Sequence, residues 1–251
     1  MALVAAVTCS SCVVRTEVRP DSGSQSGGLV PEDLPPGVRY VGPGAEATTY
    51  LRGDVGRIVV EVDQAEGAEI SPQALDHFHT VLGSIADKPV EIETSTIRAG
   101  GSAFSAEDLR SLENEHRDTV TDSDTASMYV LSLNGTLSDR QGIIGVAYGG
   151  SSFALFLEQN RGLDSAAVER AVLVHEAGHL LALVNVGYES PRDREDPDHP
   201  NHSSNADSAM HWAVESVSIL DALGGGPPDD FDDHDRADLA DIASGAIVPE
   251  F

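Results

Sequence analysis

Two periodicities alternate along most of this chain. Residues 57–63 (Arg-Ile-Val-Val-Glu-Val-Asp) are rich in β-branched apolar side chains, which predicts a strand. Residues 71–86 change to helical spacing behind a Ser-Pro start, where proline suits the first helical position. The pattern then predicts a strand over 90–97, a helix over 105–117 capped by Ser105, and a strand over 126–133. Residues 142–148 and 152–158 read as two further strands joined at Gly149-Gly150. A helix over 165–184 follows, with Asp164 and Ser165 as cap candidates; it is apolar on nearly every side, which places it in the interior. Residues 236–244, with Leu239 and Ile242 on one face, read as a C-terminal helix.

The first fifty residues lack this patterning. Residues 15–44 are rich in Ser, Gly, Pro and acid, with too few large apolar groups to offset the entropy of ordering. Residues 13–50 are therefore read as a flexible tether and 51–251 as one catalytic domain, large enough to bury a core without disulfides and expected to be a monomer. Ahead of the tether, residues 2–9 are small and apolar and end at Cys9. Residues 1–12 resemble a lipoprotein-type export signal, with Cys9 or Cys12 as the acylated residue. The expectation is an extracytoplasmic protein, secreted or lipid-anchored at the cell surface, whose membrane attachment is that lipid. No other stretch approaches the ~20 apolar residues of a membrane span. Cys9 and Cys12 are the only cysteines, so the fold has no disulfide framework. Forty-two acidic residues against fifteen basic give a net charge of −27, and Lys88 is the only lysine. A phosphate backbone is repelled by such a surface, which excludes nucleic acid as a partner.

The chemistry lies in the most apolar helix, at His175-Glu176-Ala177-Gly178-His179. Histidines four apart project from one helix face about 5–6 Å apart, within reach of one metal ion, and Zn2+ suits this pattern. Glu176 can reach a metal-activated water without being a ligand, as the general base of peptide hydrolysis does. Two histidines and a glutamate in so apolar a helix need partners, since an unpaired buried polar group costs about 1–3 kcal/mol, and a metal satisfies them. A catalytic zinc also needs a third protein ligand and one open position. His202 and His199 compete for that role, and Asp196 and Asp198 offer carboxylates.

The motif helix, the strand and helix order before it and a methionine after it resemble the metzincin superfamily of zinc peptidases, in which H-E-x-x-H-x-x-G-x-x-H supplies three histidines. This chain has Ala182 in place of that glycine and Asn185 in place of the third histidine. Downstream, residues 202–210 resemble the archaemetzincin branch, in which the third histidine is followed by C-x-x-x-x-C-x-M; here Ser203 and Ser208 stand at the cysteine positions and Met210 at the methionine. The resemblance spans roughly residues 57–243. It implies an α+β zincin-like domain with a twisted mixed sheet of about five strands, an active-site helix and a C-terminal helix. It implies a zinc metalloendopeptidase acting on a protein or peptide substrate, with His175, His179 and a displaced His202 on the metal, Glu176 as base and Met210 in a turn beneath. On this reading Gly187 ends the helix and a flexible Pro- and Asp-rich loop carries His202 back. An edge strand would bind the substrate backbone, for which residues 145–151 are the candidate; Tyr148 offers an oxyanion donor there but reads better as a surface or core tyrosine.

Other features have blander readings. The acidic run from Asp229 to Asp235 offers oxygen ligands for calcium but reads better as a capped helix start. Asn134-Gly135-Thr136 and Asn201-His202-Ser203 fit the glycosylation sequon, the second at odds with a ligand at His202. Two functions compete with the peptidase: a silent surface binding module whose metal is closed by a fourth protein ligand such as His199, and a metal-dependent amidase acting on cell-envelope material.

Overall fold

The computed structural model describes residues 42–53, 55–160, 165–215 and 226–251. The expected export signal, both cysteines, Asp164 and the tether up to residue 41 lie outside them. Five strands form one mixed sheet: β1 (Arg57–Ala65), β2 (Val90–Ile97), β4 (Thr125–Leu133), β6 (Gly145–Ala147) and β7 (Ser152–Phe156), in the order β2-β1-β4-β7-β6. The first four in that order are parallel, and β6 runs antiparallel to β7 at the edge. This is the expected α+β architecture. Two short parallel strands, β3 (Ala103–Phe104) and β5 (Thr136–Leu137), pair separately.

Helices cover one face of the sheet more heavily than the other. α2 (Pro72–Ala86) starts at Ser71, whose hydroxyl caps the amide of Ala74. It packs with α4 (Ser165–Leu180) and α5 (Asp233–Ser244) over Ile58, Val60, Val62, Met128 and Val130. The other face carries α3 (Ala106–His116), closed by a reciprocal cap between Ser105 and Asp108, over Tyr129, Leu131, Tyr148 and Phe156. No described helix is long and apolar enough to cross a membrane.

Several boundaries differ from the pattern's prediction: β6 starts at Gly145 rather than at residue 142 and β7 ends at Phe156 rather than at residue 158, and three other differences bear on the site. α1 (Ala47–Leu51) falls partly within the predicted tether, yet Ala47 and Tyr50 are fully buried and the Tyr50 hydroxyl donates to the Ser127 carbonyl at 2.8 Å. α4 stops at Leu180 rather than at residue 184. Beyond it Ala182, Val184 and Asn185 adopt positive φ, so the chain turns sharply before Gly187, itself at φ 77°. A β-branched valine there is strained, and the burial of Leu181, Leu183 and Val184 offsets that cost. The C-terminal helix begins at Asp233, three residues early, because Asp232 caps it.

Candidate metal centre

Almost the whole of α4 is buried, and His175, Glu176 and His179 lie on the turn that faces β6 and the segment after Met210. The segment from Gly187 to His202 is more ordered than the flexible loop expected of it. β8 (Glu195–Asp196) and β9 (His199–Ser203) make an antiparallel hairpin. The Ser203 amide donates to the Met210 carbonyl at 2.8 Å, and Arg194 pairs with the buried Asp235 and Asp238 of α5. Asn185 joins the hairpin too, its Nδ2 donating to Glu195 at 2.7 Å. His202 therefore sits on a strand anchored at both sides, and Asn201 of the second sequon is buried.

Four side chains meet: His175, His179, His202 and Glu215, their ligand atoms all within 4.8 Å of one another. The Nε2 atoms of His175 and His179 are 3.2 Å apart. Glu215 Oε1 lies 3.3 Å from Nε2 of His175, 3.6 Å from that of His179 and 3.3 Å from that of His202. Hydrogen bonding at the far side of two rings fixes what these nitrogens are. His175 Nδ1 lies 2.6 Å from the Ala209 carbonyl and His202 Nδ1 lies 2.9 Å from the Pro200 carbonyl. A carbonyl only accepts, so Nδ1 carries the hydrogen in both rings, and a neutral ring then presents a lone pair at Nε2. Lone pairs converging with a carboxylate oxygen are a donor set for a cation. The residues present thus fit a zinc ion, which takes imidazole nitrogen and carboxylate oxygen.

The charges are strongly coupled. Burial alone would raise the Glu215 carboxyl, but hydrogen bonds from His175, His179 and His202, donated when those rings also carry a proton at Nε2, outweigh that and hold it well below the usual carboxylate range. Burial pushes His179 down to about 4, whereas at His202 the bond to Glu215 outweighs burial and raises the ring. Glu176 is pushed well above the ordinary value, first by burial and then by the charge of Glu215, against the opposing Arg140 guanidinium and Ala147 amide. Its two oxygens are buried with no hydrogen-bonded partner among the described residues, packed so close to Gly145 that a methyl there would overlap Oε1 and Val172.

Of the predicted site residues, His175, His179 and His202 converge with Glu176 beside them. His199 is engaged elsewhere: its ring stacks on Trp212 with centroids 4.0 Å apart, and its Nδ1 lies 2.9 Å from Asp196. Met210 lies directly beneath the motif, against Gly178. Tyr148 does not reach the site. Its side chain is fully buried on the opposite face of the sheet, beside Tyr129 and Phe156. Glu215 is the residue that sequence reasoning missed. It ends a short 3-10 turn, η2 (Trp212–Glu215), and its approach depends on how that turn docks. An acidic side chain isolated among Ala213, Val214 and the apolar run before them was the available signal.

No family model matches the sequence, and no curated protein matches it. Solved structures of similar backbone include archaemetzincin from Methanopyrus kandleri, 14% identical over 76% of this chain and 97% of that one, with a TM-score of 0.49. Metalloproteinase-II from Bacteroides fragilis is 16% identical over 78% of this chain and 55% of that one, with a TM-score of 0.45. A zinc-dependent peptidase from Methanocorpusculum labreanum is 12% identical over 72% of this chain and 99% of that one, with a TM-score of 0.44.

Proposed function

We propose that this chain is a zinc-dependent peptidase. The observation that carries the reading is the convergence of three imidazole Nε2 atoms beside the buried Glu176, whose oxygens meet no donor in hydrogen-bonding geometry among the described residues. His175, His179 and His202 would hold the ion, which when bound supplies Lewis acidity toward a carbonyl and toward water. Glu176 would take the proton of the attacking water and return it to the leaving amine. The Ala209 and Pro200 carbonyls keep two of the rings in the required tautomer. A peptide would align along β6, the edge strand, whose Gly145 leaves room for Glu176. An extracytoplasmic enzyme, secreted or lipid-anchored through Cys9 or Cys12, fits the small apolar stretch at residues 2–9.

Glu176→Ala in the full chain tests the assignment. The variant is expected to bind zinc like the wild type and to lose peptide cleavage by at least about 100-fold, the scale of general-base catalysis. An active variant in a fluorogenic peptide assay would remove Glu176 from the mechanism. The position of Glu215 favours one second reading, a closed structural metal in a silent binding module.

A further inference from the structure

We infer that Glu215 is a fourth metal ligand that closes the centre at rest and must leave it before a substrate can enter. The inference rests on the peptidase reading and adds to it a resting state and the residue that maintains it. Geometry carries it. Zinc bonds of about 2.0–2.1 Å in a tetrahedron place neighbouring donor atoms about 3.3 Å apart. The observed separations are 3.2 Å for His175 to His179, 3.3 Å for His175 to Glu215, 3.3 Å for His202 to Glu215 and 3.6 Å for His179 to Glu215. Four of the six separations are near that length and all the donor atoms lie within 4.8 Å of one another, so the carboxylate oxygen stands where it can share one ion with the three nitrogens, at the place an open site would leave to water.

The placement is built into the fold. The Glu215 carbonyl accepts the Ile144 amide at 2.9 Å, one residue before β6. At its other end η2 is held by Trp212, stacked on His199 of β9. A main-chain bond at one end of the turn and a ring stack at the other therefore fix where the carboxylate starts, and on the proposed reading its side-chain torsions carry it away. His199, a rival ligand by sequence, acts here by positioning the turn that delivers Glu215. Because Ile144 leads directly into β6, a peptide aligned on that strand would lie beside the main chain that holds the latch.

The test compares full-length wild type with Glu215→Ala and the nearly isosteric Glu215→Gln, which keeps the fold if the smaller side chain does not. Zinc affinity is read by chelator competition, coordination by the visible spectrum of the cobalt-substituted protein, and cleavage with a peptide library. Affinity is expected to fall about tenfold or more, at least the loss caused by removing an outer partner of a metal site. The cobalt spectrum should change, and Glu176-dependent cleavage per loaded site should rise. Unchanged affinity and spectrum would overturn the inference and leave the peptidase reading intact. Lower affinity with weaker cleavage would overturn the latch. Lower affinity with no cleavage by wild type or variant would leave Glu215 a ligand of a structural metal, and the peptidase reading would be the one that fails.

Discussion

Gly178 sits between the two motif histidines, and a methyl group at its Cβ would overlap Met210 Sδ and press on Phe231. Alanine inside a helix is ordinarily favoured over glycine by about 1 kcal/mol. Overpacking a tight core costs about 1–3 kcal/mol, and Met210 is fully buried, so the second effect should win. Gly178→Ala is expected to lower the denaturation midpoint of the metal-free protein; a higher midpoint would mean that Met210 has room to move. At this scale the sequence was most legible where partners are local. His175, Glu176 and His179 share one helical turn, and their spacing alone brings them together. His202 was reached through the spacing to Met210, and the backbone bond from Ser203 to Met210 is the physical form of that spacing. Tyr148 is a core tyrosine, the better of its two readings, and strand alternation places it: Ala147 faces the α4 side of the sheet, while Val146 and Tyr148 face the other. Glu215 needed the docking of η2, which no periodicity reports.

The elements around the site are fixed chiefly by caps and buried polar ties. Asp232 caps α5 by accepting the Asp235 amide at 2.8 Å, and it also accepts Asn205 Nδ2 at 2.7 Å. Burial would raise this carboxyl, but the Asp235 amide, Asn205 and the nearby Arg194 charge outweigh it and hold it below its ordinary value. A depressed folded-state value means that this stabilisation is complete above the ordinary carboxylate value near 4 and is lost as pH falls through the lowered one. Asp232→Ala should therefore cost about 1 kcal/mol at neutral pH, a difference that shrinks in acid. Urea melts of both proteins at several pH values would check it, and a cost constant down to pH 2 would contradict the assignment. The acidic run from Asp229 to Asp235 is thus a helix start, with Asp229 paired to Arg170 and Asp230 to Arg236. Most strands and helices were legible because each shows one clean period. The helix end at Leu180 was not, because apolar residues continue through a turn whose left-handed residues are not glycines. Nor was the β8–β9 hairpin, whose polar sequence is ordered through Arg194, Asp235 and Asp238 rather than by apolar contacts.

Across the whole molecule, a mixed sheet supports one buried helix, and three separate segments bring groups to it: β6 from the sheet edge, β9 from the insertion and η2 after Met210. The chain as a whole carries a net charge of −27, and the Arg140 charge is felt at both Glu176 and His202. Every functional claim depends on a metal held by His175, His179 and His202. Elemental analysis of the purified full chain, with His202→Ala and His199→Ala beside it, tests that dependence most directly. Near one zinc per chain in the wild type and in His199→Ala, lost in His202→Ala, is the predicted result. No metal in the wild type after zinc is offered, or zinc lost with His199 and kept without His202, would contradict it.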